Sequence, residues 1–231
     1  MSPRTLDPRS VPVVGIDTHL PAVPASSLTA TVLRDRFRRG SARPPEFSGD
    51  GGGMQPDREP RSAAVLVALV QRGDGLHVLL TQRTDHLRDH AGQISFPGGR
   101  SEPADVDAAA TALRETEEEV GLPRSQVQVI GCLPEYTTVT GYVVTPVVAL
   151  VQPPLILSLH AFEVAEAFEV PLQYLMTPAH HRRHLVDHDG RQRQFLSMPW
   201  HGMAADGSPR EYFIWGATAA MLRNLYSFLA R

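Results

Sequence analysis

The chain carries a single cysteine, Cys132, in 231 residues. An internal disulfide is excluded, nothing points to an oxidising compartment, and Cys132 reads as a small apolar residue at the end of a strand. Long hydrophobic runs are also missing. The longest purely apolar stretch, AAVLVALV from Ala63 to Val70, has the length of a strand, not of a membrane span. Neither sign of charge dominates: 22 basic residues against 25 acidic ones give a net charge of −3. No nucleic-acid-binding or membrane-binding surface is expected from that balance. An anionic substrate has to be drawn in locally, by bound cations or by a few arginines. The N-terminus, broken by Pro3, Pro8, Pro12, Pro21 and Pro24, lacks a basic-then-apolar signal pattern, and the terminal SFLAR is no peroxisomal address. A cytoplasmic protein is the expectation.

What is present is ordinary globular material, 42% hydrophobic and 20% charged, enough for one domain with a substantial core and extensions. Residues 1–60 read as a Pro/Gly-rich N-terminal extension. It comprises an irregular lead to residue 25, a short helix capped by Ser26 or Ser27 with Leu28, Val32, Leu33 and Phe37 on one side, and a flexible linker from Arg39 to Arg61. Residues 61–231 read as the main domain. AAVLVALV and LHVLLTQR form two strands joined through QRGDG, and GQISFPGG is a short strand running into a turn. QVQVIGCL and GYVVTPVVALV are further strands, and EVAEAFEVPL is a strand entering a short helix. RQRQFLSMPW pairs as a hairpin arm with the residues before it. Ile214, Ala217, Met221, Leu225 and Phe228 mark a C-terminal helix packed on the core. Strands alternating with helices give an α/β or α+β sandwich.

The stretch RETEEEVG, Arg114 to Gly121, stands out. It closes a predicted helix from Val106 to Val120 that Gly121 and Pro123 terminate. At about 100° per residue, Glu115, Glu118 and Glu119 share one face while Glu117 points almost the opposite way, toward solvent. Like charges at that spacing destabilise a helix by a few tenths of a kcal/mol per pair. Alone, such a run reads as a solvated face. Bound cations are what would offset the repulsion.

With its flanks, FPGGRSEPADVDAAATALRETEEEVGL resembles the signature of the Nudix hydrolases. That signature reads glycine, five residues, glutamate, seven residues, then Arg-Glu-apolar-x-Glu-Glu-x-Gly-apolar. Arg114, Glu115, Glu118, Glu119, Gly121 and Leu122 fill its second half in register, with Thr116 in a normally apolar place. The first half runs one residue long from Gly99, so Val106 stands where the first glutamate belongs and Asp105 and Asp107 flank it. The coenzyme A diphosphatase branch of the family shares this expansion and has a second motif just upstream. LLTQRTDHLRDHAGQISFPGG, from Leu79 to Gly99, matches that motif through Arg83, Arg88, Gly92, Gln93 and Phe96 to Gly99. TGYVVTPVV, EVPLQYLM and IWGATAAML are also similar to that branch.

The resemblance implies a Nudix fold, a mixed sheet between helices, and metal-dependent hydrolysis of the diphosphate of coenzyme A or its thioesters, with Mg²⁺ or Mn²⁺ as cofactor. It implies Glu115, Glu118 and Glu119 as metal ligands, Glu115 also lying close to the attacking water, with the Gly99 carbonyl as a further ligand. Arg114 orients a glutamate, and Gly98 and Gly99 let backbone approach the phosphate. Glu163 or Glu166 is the expected carboxylate from outside the motif. Arg83 and Arg88 are the expected grips on substrate phosphate, including the 3′-phosphate of coenzyme A. Hard divalent cations suit such a carboxylate set and are commonly shared with substrate phosphates. The partner is a small molecule, with neither nucleic acid nor membrane, and monomer or homodimer stays open. Two rival readings are hydrolysis of ADP-ribose, a dinucleotide or a nucleoside triphosphate, and a non-catalytic module that senses a nucleotide. The intact Glu115, Glu118 and Glu119 speak against the sensor.

Other patterns are weaker. His180, His181 and His184 have no cysteine nearby and read as solvated, not as a zinc site. Ser95 lacks the glycine-flanked turn of a hydrolase nucleophile, and GDGGG lacks the lysine of a phosphate loop.

Overall fold

A computed structural model describes residues 7–40, 44–50, 60–86, 91–188 and 191–230. In chain order these form β1 (Val13–Ile16), α1 (Ala30–Arg39), β2 (Arg61–Arg72), β3 (Gly75–Arg83), β4 (Ile94–Ser95), β5 (Gly98–Arg100) and α2 (Ala108–Val120). There follow β6 (Val127–Cys132), β7 (Tyr136–Thr137), β8 (Tyr142–Val151), β9 (Val164–Pro171) and α3 (Leu172–Leu175). β10 (Arg182–His188), β11 (Arg191–Met203), β12 (Pro209–Trp215) and α4 (Gly216–Leu229) complete the chain.

The larger sheet is mixed. β2 runs parallel to β8 from Arg61↔Tyr142 to Val70↔Val151, and antiparallel to β3 through the turn at Arg72↔Gly75. Strands buried on both faces need near-continuous apolar sequence, which is what AAVLVALV supplies. Ala64, Leu66, Ala68 and Val70 pack toward α2, with Ala112, Val120 and Leu122. Val67 and Leu69 join the opposite core with Leu33 of α1 and Met221, Leu222 and Leu225 of α4. The mixed sheet therefore lies between helices, as expected. The smaller sheet, in order β1-β10-β11-β12, contains the expected hairpin arm, which is β10 and β11 in register from Arg182↔Ser197 onward.

The structure departs from the sequence reading in the N-terminal lead and in the histidine stretch. Residues read as an irregular lead supply strand β1, which pairs with β10. Beyond it, Val23 and Leu28 are buried in the main core. The first helix is capped by Thr29, whose hydroxyl accepts from the Val32 amide, and not by Ser26 or Ser27. His181 and His184 are buried, not solvated. His181 bonds the Leu175 carbonyl and accepts from Arg223, and His184 bridges the Val11 carbonyl and the Ser197 hydroxyl. Each imidazole is satisfied from two sides, which is how a polar ring tolerates burial. Burial pushes His181 down to about 4, so it stays uncharged.

Candidate active site

The predicted acidic helix begins two residues later than the sequence suggested. Asp107 is extended and caps it, its side chain accepting from the Ala110 amide at 2.7 Å. Val106, in the register place of the family's first glutamate, is exposed and makes no ligand. Asp105 takes over instead. Its two oxygens accept from Arg114 Nε at 3.1 Å and Nη2 at 2.9 Å, a bidentate pair, while Thr111 donates a third bond. That partner holds the Asp105 carboxyl well below the usual range.

So fixed, Arg114 presents Nη1 to Glu115 Oε1 at 2.9 Å and to Glu118 Oε2 at 3.2 Å. One guanidinium thus positions two of the predicted ligands. Glu119 turns inward, and its Oε2 accepts from the Gly98 amide at 3.1 Å. Burial, together with the Glu115 and Glu163 charges, pushes the Glu119 carboxyl up to about 7 against the pull of the Gly98 amide and the Arg83 charge. Burial likewise raises Glu115. Glu117 faces away as predicted and pairs with Arg124 at 3.0 Å. Thr116 occupies its apolar slot fully buried because its hydroxyl donates to the Ala112 carbonyl.

The glycine pair before the helix is set by close approach. Gly98 sits at φ +150°, and a side chain there would strike the Ala64 carbonyl. Gly99 lies under the Glu115 carboxylate, and a Cβ would overlap Oε2. Only glycine lets a carboxylate rest against that strand.

Of the two carboxylates expected from β9 and its approach, Glu163 is the one whose charge reaches Glu115 and Glu119. It is half-buried and lies 3.6 Å from His160. Glu166 is buried and its oxygens are taken by Arg210, Tyr212 and the Ala205 amide. Arg83 ends β3, and its Nε is buried without a partner among the described residues. Arg88 lies outside the described residues.

The donor set is all carboxylate and carbonyl oxygen, the chemistry a hard divalent cation takes. Glycine leaves Glu115 the room it occupies, and burial first, with the charges of Glu118 and Glu163 on Glu115 and of Glu115 and Glu163 on Glu119, raises both carboxyls, a cost that a cation would relieve. The residues fit such an ion, though among the described residues no three of these acids yet converge on one point. Glu115 and Glu118 are bonded to Arg114, and Glu119 to the Gly98 amide.

A carboxylate-bearing helix, capped by Asp107 and packed against a strand with paired glycines, is laid over the mixed sheet. The NUDIX domain model matches residues 59–186, and the chain belongs to that family. It is 45% identical over 176 residues to the uncharacterized Nudix hydrolase NudL of Shigella flexneri serotype 5b, covering 74% of this chain and 85% of that protein. NudL of Escherichia coli K12 is 46% identical over 167 residues, covering 71% and 81%. Among solved structures, an Ap4A hydrolase of C. elegans superposes with a TM-score of 0.43 at 23% identity, covering 51% of this chain and 85% of that one. The protein is a Nudix hydrolase acting on phosphoanhydride bonds. Among the described residues no helix is long and apolar enough to cross a membrane.

Proposed function

We propose that the protein hydrolyses the diphosphate of coenzyme A or its thioesters with Mg²⁺ or Mn²⁺, giving 3′,5′-ADP and a 4′-phosphopantetheine species. The observation that carries this reading is Arg83, set in the upstream motif shared with the coenzyme A branch. Its Nε is buried and has no partner among the described residues, and its charge reaches Glu119. A buried donor left unpaired costs about 1–3 kcal/mol, so the site gains when an anionic oxygen arrives there.

In this reading Glu115, Glu118, Glu119, Glu163 and the Gly99 carbonyl hold the cation. The ion, once bound, neutralises charge on the diphosphate and activates water. Arg114, locked by Asp105, keeps Glu115 and Glu118 aligned and touches no substrate. Arg114 holds Glu115 Oε1, and in this reading Glu115 is the carboxylate that takes a proton from the attacking water. The raised Glu115 carboxyl makes it a better proton acceptor than an ordinary glutamate.

The test is a product-resolved assay of purified protein and Mg²⁺ on coenzyme A, dephospho-coenzyme A, ADP-ribose, NADH and deoxynucleoside triphosphates. Coenzyme A is expected to be the preferred substrate. Arg83→Ala is expected to lower its kcat/KM about ten- to a hundredfold relative to dephospho-coenzyme A, the worth of one charge-assisted contact. Equal losses on both would move Arg83 to the scissile diphosphate, and wild-type indifference to the 3′-phosphate would replace this reading with a broader nucleotide diphosphatase.

A further inference from the structure

Phe162 is left 63% exposed on the turn that carries Glu163. A single apolar side chain at a surface is ordinary. This one stands at the rim of the acidic site, and its backbone is fixed there from two sides. The His160 amide donates to the Glu119 carbonyl at 2.8 Å, which docks the turn on the end of α2. The Glu163 and Val164 amides both donate to the His160 carbonyl at 2.9 Å and close the turn on itself. From the end of β3, the Thr84 amide donates to the Glu163 carbonyl at 3.0 Å and the Thr84 hydroxyl to the Phe162 carbonyl at 2.8 Å.

The ring also has a partner. The His86 imidazole lies 4.8 Å from it, tilted by 58°, and the Thr84 hydroxyl stands 3.4 Å from His86 Nε2. One hydroxyl thus touches the carbonyl behind one ring and the edge of the other. A side chain on a backbone already fixed has less freedom to lose when a flat ligand settles on it. Its place selects that ligand: a molecule whose phosphates are drawn to a cation among the neighbouring carboxylates and which also carries a flat, apolar face. A nucleotide has both. In the diphosphatase reading, the adenine and the 3′-phosphate hang from one ribose, so the base lands near the anion that Arg83 holds. Arg83 directly precedes Thr84, and Thr84 bonds the Phe162 carbonyl. The same half of the substrate therefore meets Arg83 with its phosphate and Phe162 with its base.

We infer that Phe162, backed by His86, is the platform on which the adenine base of the substrate stacks. The inference rests on the diphosphatase reading and adds where the base goes. The test is isothermal titration of the full chain with Mg²⁺, comparing AMP with ribose 5-phosphate, which lacks the base. Neither has a 3′-phosphate, so the Arg83 claim is not involved. Wild-type protein is expected to bind AMP about ten- to a hundredfold more tightly than ribose 5-phosphate, the worth of one base stacked on an aromatic ring. Phe162→Ala is expected to cut that ratio about tenfold while leaving ribose 5-phosphate binding unchanged. Phe162→Trp is expected to restore the ratio, and its added indole emission to change with AMP and not with ribose 5-phosphate. AMP bound no more tightly than ribose 5-phosphate by the wild type, a ratio within about twofold of wild type in Phe162→Ala, or equal weakening of both ligands in that variant overturns the inference. Failure of the wild type to hydrolyse coenzyme A, ADP-ribose or NADH instead overturns the diphosphatase reading beneath it.

Discussion

Replacing Glu119 by glutamine removes the most buried charge of the site while keeping its size and its acceptor for the Gly98 amide. The folded protein holds this carboxyl at about 7 against an ordinary 4.5. Below the ordinary value both folded and unfolded chains keep the proton, and the fold bears no cost. As pH rises from there toward 7, the unfolded chain ionises first, so stability falls. Above 7 the folded chain carries the full penalty, about 3 kcal/mol at 1.36 kcal/mol per pK unit. Glu119→Gln has no such slope. With cations chelated, its stability relative to wild type is therefore expected to climb by about 3 kcal/mol between mildly acid and mildly alkaline pH. The variant should be the more stable protein and a nearly inactive enzyme. Urea unfolding across that pH range in the presence of a chelator measures it. Mg²⁺ added at alkaline pH should recover much of the difference for wild type alone, because the ion and the proton answer the same repulsion. Parallel stability profiles for the two proteins would refute the burial argument and, with it, the assignment of Glu119 to a strained acidic cluster.

Three further outcomes follow from the same geometry. Glu118→Gln and Glu115→Gln should each cut turnover by orders of magnitude while Glu117→Gln stays within about twofold of wild type, read by steady-state kinetics; the Glu117 carboxylate faces away and pairs with Arg124. Asp105→Ala should lower kcat by freeing Arg114 from its bidentate hold, and Asp105→Glu should restore part of it, a rescue that loss of general stability would not give. Asp17→Ala should destabilise the fold by about 1.5–3 kcal/mol in thermal or urea unfolding, since it strips the buried Arg223 and the half-buried Arg183 of one shared partner while Glu46 still holds both. The burial of Asp17 raises its carboxyl, yet the two arginines outweigh this and hold it below the ordinary value. Its contribution is thus present above that value and is lost as pH falls through the folded one.

Much of the fold was legible because one physical rule governed each element. Strands buried on both faces read as continuous apolar runs, and Ala63 to Val70 forms the middle of the mixed sheet. The glutamates of the helix sorted by face, and Glu117 indeed turns to Arg124. What the sequence concealed is long-range. The Pro-rich lead looked irregular because β1 is four residues long and owes its existence to β10, some 170 positions away in register, Val13 against His184. The histidines looked solvated because their neighbours are polar. Their partners, the Leu175 and Val11 carbonyls, Arg223 and Ser197, come from four separate parts of the chain.

The offset at the start of the family signature is the most instructive of these cases. Counting residues placed Val106 in the glutamate's slot and left Asp105 and Asp107 without assignment. The structure divides the work between them by backbone conformation. Asp107 must be extended to cap a helix, so the helix cannot begin before Ala108. That leaves the residues before it in a turn, where Glu102 donates its amide to Asp105 Oδ2 and carries that side chain to Arg114. Val106, between two engaged aspartates, is left 90% exposed. In this chain the carboxylate that clamps Arg114 is therefore Asp105, one residue before the register position of the signature's glutamate. It follows that exchanging Val106 for alanine should leave turnover and stability near wild type, whereas the same exchange at Asp105 should not. The paired measurement separates the spatial requirement from the register in which the family signature is written.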